Sequence, residues 1–212
     1  MTPLACALKA RIAAGGAIPV EAYMRACLAD PEHGYYRGPD PLGRAGDFVT
    51  APEVSQMFGE LIGLWAAEVW GQMGRPRPVV LAEFGPGHGT LMADALRAIG
   101  QGAPDFAAAL ELHLVEISPG LRARQAEALA HARPRWHDDE RGLPERPTVA
   151  IANEFLDALP VRQFVRTEAG WRERMVIWDD AAQGFAFTLG AAAIDDATSG
   201  WPAERAPPGA IR

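Results

Sequence analysis

The feature that most constrains the fold is a short apolar run followed at once by a glycine-rich loop and a helical pattern. Residues Val79–Phe84 form a run of the kind found in buried parallel strands. The loop has glycine at 85, 87 and 89, and it leads into a helix predicted from Leu91 to about Ile99. A strand, a glycine loop and a helix in this order predict the first unit of a parallel α/β sheet.

The rest of the chain continues this alternation. Further strands are predicted at Leu112–Ile117, weakly at Arg135–His137, and at Val149–Asn153, with a helix at Leu121–His131. Residues 161–190 instead contain three stretches typical of antiparallel strands joined by turns. We therefore predict four segments: an N-terminal helical segment with a loop (1–74), an α/β core (75–160), an antiparallel β insertion (161–198) and a poorly ordered tail (199–212).

The N-terminal segment contains two helical patterns. Residues 18–29 repeat apolar side chains at helical spacing. A second helix is predicted to begin at Thr50, because Thr50 and Glu53 have the spacing of a capping box. The apolar residues that follow lie nearly all round this helix, so we expect it to be mostly buried and to end near residues 71–74.

Composition excludes several classes of function. The 212 residues include 27 acidic and 20 basic side chains, and the net charge of −7 argues against a nucleic-acid groove. No run approaches the ~20 apolar residues of a membrane helix, so no membrane insertion is expected. The two cysteines are too few for a disulfide framework or a metal cluster, and no metal site is expected.

The glycine loop departs from two known nucleotide fingerprints. A phosphate-binding P-loop ends in Gly-Lys-Ser/Thr, and this loop has no lysine. The dinucleotide fingerprint requires glycine at 90, where Thr90 stands, so a dehydrogenase ranks last. S-adenosyl-L-methionine has a carboxylate that the loop amides can bind. Its ribose hydroxyls can donate hydrogen bonds to Glu116, which lies at the end of the next predicted strand. The alternative is a plain tight turn.

Other side chains near this loop have two interpretations each. Glu83 could hold the ammonium group of the cofactor, although a residue in this position more often caps a strand end. Asp138 or Asp139, after the weak strand, could contact the adenine amino group. His88 is expected to be a loop residue that faces solvent.

A second polar cluster follows the strand that ends at Asn153. A carboxylate pair such as Glu154 and Asp157 can clamp a guanidinium group through two hydrogen bonds. Because arginine keeps its proton far above neutral pH, its methylation requires carboxylates that orient one nitrogen and help to remove a proton. The alternative is that Glu154 and Asp157 cap a short helix while Asn153 ends a strand. The residues alone leave both interpretations open.

In the glycine loop, in the polar cluster after Asn153 and in other segments, the chain resembles the MidA family of class I S-adenosyl-L-methionine-dependent methyltransferases. The resemblance covers about residues 8–190, and two of its motifs are long and specific. The matching segments are IPVEAYMRACLADPEHGYY from Ile18, GDFVTAPEVSQMFGELIG from Gly46, EFGPGHGTLMAD from Glu83, VEISP from Val115 and ANEFLDALPVRQF from Ala152.

The resemblance implies a Rossmann-like class I fold and a site for S-adenosyl-L-methionine. The residues expected to bind this cofactor lie in two motifs and their flanks: Glu83, Gly85, Pro86, Gly87, Gly89, Thr90, Glu116, Ile117, Ser118 and Asp138. The resemblance also implies that residues 46–58 cover the cofactor or the substrate. Asp47, Thr50 and Glu53 then become candidate substrate contacts, with turn and capping roles as alternatives. Asn153, Glu154 and Asp157 are the candidate catalytic residues.

The family's mitochondrial member is an arginine methyltransferase and assembly factor for respiratory complex I. We therefore expect a protein methyltransferase that acts on a protein substrate, such as an arginine of a complex I subunit. A non-catalytic assembly factor that binds the cofactor is the alternative. A start near the family's first helix leaves no room for a mitochondrial presequence, which favours a bacterial cytoplasmic protein. The predicted parallel sheet is incomplete at the C-terminus for a class I fold.

Overall fold

The computed structural model describes residues 1–37, 50–194 and 206–212. The helices are α1 (Pro3–Gly15), α2 (Val20–Ala29), α3 (Ala51–Val54), α4 (Gln56–Gln72), α5 (Thr90–Gly102), α6 (Pro104–Ala107) and α7 (Pro119–Ala128). The strands are β1 (Ile18–Pro19), β2 (Val79–Phe84), β3 (Leu110–Val115), β4 (Arg135–His137), β5 (Thr148–Ile151), β6 (Phe164–Thr167), β7 (Gly170–Asp179) and β8 (Gly184–Ile194). The chain divides into two compact units, one of residues 39–157 and one that combines residues 1–38 with 158–212.

The first unit contains a parallel sheet with the strand order β4-β3-β2-β5. Strand β2 is central, and its residues Val79 to Ala82 are fully buried, which explains why its sequence is an uninterrupted apolar run. The core around it includes Leu91, Ile99 and Phe106 from the helices. The α/β fold predicted from the sequence is therefore confirmed, and the weakly predicted strand at 135–137 is present as β4.

Helix α4 packs closely against α5 through two glycines. A Cβ atom on Gly63 would lie 2.5 Å from the Ala95 carbonyl oxygen, and one on Gly59 would lie 2.7 Å from Asp94 Cβ. Other apolar side chains of α4 do not share this packing, since Leu61 and Trp65 are 60% and 51% exposed. The prediction of a mostly buried helix is therefore wrong. A sequence that is apolar nearly all round does not reveal which face of the helix packs against its neighbours.

The second unit is built on an antiparallel sheet in which β7 pairs with β1, β6 and β8. Helices α1 and α2 contribute apolar side chains to its core. Leu8, Ile12, Ile18 and Val20 form one buried cluster with Val176 of β7. The three antiparallel stretches expected within 161–190 thus correspond to β6, β7 and β8.

The two compact units divide the chain differently from the segments predicted from the sequence. Helices α3 and α4 fall in the unit with the parallel sheet, whereas α1 and α2 fall in the unit with the antiparallel sheet. The described part of the C-terminal tail also differs from the expectation of poor order. Ile211 bridges to Val165, and the amide of Phe164 donates to the Arg212 carbonyl at 2.6 Å. These backbone hydrogen bonds hold residues 206–212 against β6.

Within the described ranges, no helix has the length and apolar character needed to cross a membrane. The same ranges contain no group of three or more His, Cys, Asp or Glu side chains arranged to hold a metal ion. Cys6 is exposed and Cys27 is half-buried, and both are free thiols.

Candidate functional site

The glycine loop lies between the end of β2 and the start of α5. Gly85, Gly87 and Gly89 have φ values of 61°, 55° and 84°, a region that residues with a side chain rarely adopt. The amide of Gly85 donates to the Val115 carbonyl at 3.0 Å, and the amide of Gly89 donates to that of Pro86 at 2.8 Å. The three glycines are thus required by the path of the backbone, which turns sharply from the strand into the helix.

The segment that follows β5 packs directly on this loop. A Cβ atom on Gly85 would lie 2.5 Å from Cδ2 of Phe155, and the rings of Phe84 and Phe155 are 5.8 Å apart. This contact brings the backbone of Asn153 and Glu154 to the carboxyl end of β2. Two motifs separated by about 70 residues in the sequence therefore meet at one edge of the sheet.

These elements enclose a cavity. The residues that line it come from the α3 region, the end of β2, the glycine loop, the start of α5 and the end of β5: Thr50, Pro52, Glu53, Glu83, Gly85, Pro86, Gly87, His88, Thr90, Leu91, Asn153 and Glu154. Candidates for cofactor binding, substrate binding and catalysis are thus brought together here. Gly89, Glu116, Ile117, Ser118, Asp138 and Asp157 are not part of this lining, and Asp47 lies outside the described residues.

Glu83 is the most perturbed ionisable group in this cavity. Its side chain is 2% exposed, and burial raises the pKa of its carboxyl group to about 8. Within the described residues its Oε2 atom is buried and has no hydrogen-bond partner. A buried carboxylate oxygen without a partner is costly, and a cationic ligand group in the cavity would remove that cost.

Glu53 contacts the glycine loop, and the capping box predicted for it is wrong. Thr50 makes no side-chain cap of α3. The Oε1 atom of Glu53 instead accepts a hydrogen bond from the Thr90 hydroxyl at 2.8 Å and lies 3.3 Å from Nδ1 of His88. Helix α3 ends at Val54, one turn after it begins. Glu53 of this short helix therefore contacts His88 and Thr90, which lie 35 and 37 positions later in the sequence.

His88 does not face solvent as expected from the sequence. Its side chain is 19% exposed and contacts Glu53. Its Nε2 atom lies 3.0 Å from a guanidinium nitrogen of Arg124. His88 therefore connects the α3 region to helix α7 through the glycine loop.

Glu116 directly follows β3 and is buried. Its Oε1 atom accepts a hydrogen bond from the Ser118 amide at 2.8 Å, and Ser118 in turn caps α7 by accepting from the Leu121 amide. Burial raises the pKa of Glu116, and the hydrogen bonds from Ser118 and Gln125 partly offset this effect. The neighbouring Ile117 is 51% exposed, so an apolar surface adjoins the buried carboxylate.

The two aspartates after β4 have different environments. Asp138 is exposed and accepts a hydrogen bond from Arg122 at 2.6 Å. Asp139 caps a short 3₁₀ turn by accepting from the Arg141 amide at 3.0 Å, and the Arg141 guanidinium lowers the pKa of its carboxyl group. Asp139 thus has a structural partner on its own turn, whereas the Asp138 carboxylate extends into solvent.

The polar cluster after β5 is only partly assembled at the cavity. Asn153 and Glu154 line it, whereas Asp157 is exposed and lies in a 3₁₀ turn at Leu156–Ala158. Glu154 has a φ of 46°, which costs on the order of 1 kcal/mol for a residue with a side chain. A strained non-glycine residue at the edge of a cavity is typical of functional positions.

Sequence reasoning missed Gln125. It is fully buried in α7 and contacts both the glycine loop and Glu116. A signal was present, because Gln125 lies four residues from both Leu121 and Leu129 and thus shares a face with them. A polar residue on the apolar face of a helix indicates a buried hydrogen-bonding role.

Comparisons with known proteins identify relatives of this chain. A family model described as "Putative S-adenosyl-L-methionine-dependent methyltransferase" matches residues 61–206. The mitochondrial protein arginine methyltransferase NDUFAF7 homolog of Drosophila melanogaster is 37% identical over 208 residues, which are 87% of this chain and 47% of that protein. The human NDUFAF7 is 36% identical over 199 residues, 83% of this chain and 45% of that protein.

A solved structure from Burkholderia thailandensis bound to S-adenosyl-homocysteine is also similar. Its sequence is 38% identical, its TM-score is 0.76, and the match covers 98% of this chain and 55% of that one. A native structure from the same organism has a TM-score of 0.73 at 37% identity, covering 98% of this chain and 53% of that one. The chain therefore spans about half the length of the relatives it matches.

The expectation of a bacterial cytoplasmic protein is corrected by these relatives, since the curated ones are mitochondrial proteins of animals. The expected family is confirmed. The family model covers more than half of the chain, and the curated relatives and the solved structure with S-adenosyl-homocysteine agree with it. This chain belongs to the MidA family of S-adenosyl-L-methionine-dependent methyltransferases.

Proposed function

We propose that this protein binds S-adenosyl-L-methionine in the cavity at the carboxyl end of β2 and transfers its methyl group to an arginine of a protein substrate. The observation that carries the proposal is the buried Oε2 atom of Glu83, which has no partner among the described residues and lines the cavity beside the glycine loop. An ammonium group is the chemistry that such an atom fits. A relative of known structure was crystallised with S-adenosyl-homocysteine.

Residues that line the cavity, and others outside its lining, would hold the parts of this cofactor. Glu83 would accept a hydrogen bond from the ammonium group, and the backbone of Gly85, Pro86, Gly87 and Gly89, with the start of α5 at Thr90, would hold the carboxylate. Glu116 would accept hydrogen bonds from the ribose hydroxyls, with Ile117, Ser118 and Asp138 around the adenosine. The bound cofactor supplies an electrophilic methyl group.

The acceptor side of the proposal rests on the acidic residues around the cavity. Glu154 and Asn153 would orient the guanidinium group, with Asp157 on the neighbouring turn. Thr50 and Glu53, which line the cavity, would contact the substrate, and Asp47 is proposed as a further substrate contact from the family resemblance. Because arginine holds its proton strongly, a carboxylate would fix one nitrogen and accept its proton as the methyl group bonds to that nitrogen. The bond between sulfur and the methyl group would break in the same step, and S-adenosyl-homocysteine would leave. The curated relatives are named protein arginine methyltransferases, which supports arginine as the acceptor.

A narrower proposal concerns the substrate. We propose that the protein substrate is a subunit of respiratory complex I, as the family resemblance implies. An assay with labelled S-adenosyl-L-methionine and purified complex I subunits tests this proposal. Methylation confined to other proteins would contradict the proposed substrate, but it would still support the proposed methyl transfer.

Titration calorimetry of the 212-residue chain with S-adenosyl-homocysteine tests the proposed cofactor. Binding with a Kd in the micromolar range is expected, as for a ligand of this size with charged contacts. The absence of measurable binding would contradict the proposal. Transfer of a labelled methyl group then separates an enzyme from a non-catalytic assembly factor, since the assembly factor would bind the ligand without turnover.

Replacing Glu154 by glycine separates its proposed role from a structural one. Glycine adopts a φ of 46° without strain, so Glu154→Gly is expected to retain or raise the free energy of unfolding by up to about 1 kcal/mol. Methyl transfer should fall by at least about 100-fold, because general base and orienting groups contribute roughly that much. Denaturant unfolding and a transfer assay measure the two effects. Full activity in Glu154→Gly would show that this carboxylate has no role in the reaction.

A further inference from the structure

One buried glutamine side chain connects three separate elements around the cavity. The Nε2 atom of Gln125 donates to the Gly87 carbonyl at 2.8 Å and lies 3.4 Å from Oε2 of Glu116. Its Oε1 atom accepts from the indole nitrogen of Trp136 at 2.8 Å. The side chain is 0% exposed, so these bonds form without competition from water.

The chemistry of the partners fixes the orientation of the amide. The indole nitrogen of Trp136 can only donate, so it must face the oxygen of Gln125. The two N–H bonds of the amide are then directed at the Gly87 carbonyl and the Glu116 carboxylate, both of which can only accept when the carboxylate is ionised. A single residue thus satisfies three partners, and a rotated amide would leave all three unmatched.

Helix α7 also lies close to the glycine loop at this point. A Cβ atom on Gly89 would contact Cα of Gln125 at 3.6 Å and a methyl of Leu129 at 3.5 Å. The loop therefore rests on the backbone of α7, and the Gln125 amide adds a directional bond to that contact. Movement of α7 would shift the loop and Glu116 together.

We propose that Gln125 is a positioning residue that sets the separation between the glycine loop and the Glu116 carboxylate. This inference rests on the proposed function, in which the loop binds the amino-acid half of the cofactor and Glu116 binds its ribose. A ligand that reaches both subsites needs their spacing to be correct. A ligand that occupies only the nucleoside subsite does not.

The test compares two ligands on three variants of the full chain. S-adenosyl-homocysteine spans both subsites, whereas 5′-methylthioadenosine lacks the amino-acid group. In Gln125→Met, which keeps the volume and loses the amide, the affinity for S-adenosyl-homocysteine should fall by at least about tenfold, and that for 5′-methylthioadenosine by less than about threefold. Gln101→Met, an exposed position on α5, is the matched control and should bind both ligands as the wild type does.

A second substitution covers the case in which Gln125→Met does not fold. Gln125→Asn keeps an uncharged amide, but its side chain is shorter by one methylene, so the amide does not reach Gly87 and Trp136 together. It should show the same difference between the two ligands. Equal losses for both ligands, or unchanged affinity for S-adenosyl-homocysteine in a folded variant, would overturn the positioning role. Failure of the wild type to bind S-adenosyl-homocysteine would instead overturn the proposed function.

Discussion

Replacing Gly63 by leucine is expected to lower the free energy of unfolding by about 3 kcal/mol or more. The atoms that a Cβ would meet are Ala95 O at 2.5 Å and Ala95 Cα at 2.8 Å. Both belong to the backbone of α5, which cannot rotate away as a side chain would. The helices would have to separate, and the core beneath α5 would lose contacts along its length.

Gly71→Leu is the matched control for this substitution. Gly71 lies in the last turn of the same helix, and a Cβ atom there would meet no heavy atom within 4 Å. Because leucine favours the helix more than glycine does, Gly71→Leu should be neutral or stabilising by roughly 0.5–1 kcal/mol. Urea unfolding of both variants gives the comparison. If Gly63→Leu were as stable as Gly71→Leu, the close packing of α4 on α5 would be refuted.

Removing the ionisable group of Glu83 is expected to weaken binding of S-adenosyl-homocysteine by about 10- to 100-fold, the range for a lost hydrogen bond to a charged group. With a pKa of about 8, the carboxyl group of the free protein is mostly protonated at pH 7. Pairing with an ammonium group requires its ionised form, so binding should release a proton. The affinity of the wild type should then rise between pH 6 and pH 8, whereas that of Glu83→Gln should not depend on this titration.

Calorimetry in buffers of different ionisation enthalpy measures the released proton. The free energy of unfolding gives a second measurement, and the direction of its pH dependence follows from the raised pKa. The pKa of Glu83 is higher in the folded chain than in the unfolded one, so its contribution to stability is complete below the unfolded value near 4.5 and is lost as the pH rises towards 8. Glu83→Gln should therefore gain stability over the wild type at pH 8 and not at pH 4. Glu127→Gln, on the exposed side of α7, should change neither property; proton release in Glu83→Gln equal to that of the wild type would refute the assignment.

Much of the fold could be predicted because its determinants are local. Strand β2 is encoded by an apolar run, and the turn after it is encoded by glycines at positions where φ is positive. The buried face of helix α4 could not be predicted, because apolar residues lie on all sides of the helix in the sequence pattern. There the deciding feature is the small size of Gly59 and Gly63, which matters only once α5 lies against them.

The candidate site divides in the same way. The sequence places Glu83 and Glu154 at strand ends, and both line the cavity. The contacts of Glu53 with Thr90 and of Gln125 with Gly87 join residues 37 and 38 positions apart. Neither pair has a local pattern, because each depends on how separate elements pack. The spacing of Thr50 and Glu53 indicates a helix cap, but Glu53 instead contacts His88 from a distant part of the sequence, and the cap does not form.

The strand order β4-β3-β2-β5 has a consequence for where a ligand can bind. The chain runs outward from β2 through β3 to β4 and then crosses back to the other side of β2 to form β5. At such a reversal the connections leave the sheet on opposite faces, and a crevice opens at the carboxyl ends of the two strands that flank it. Those strands are β2 and β5, which carry Glu83 and lead into Asn153. The order in which the strands are connected therefore determines the location of the crevice.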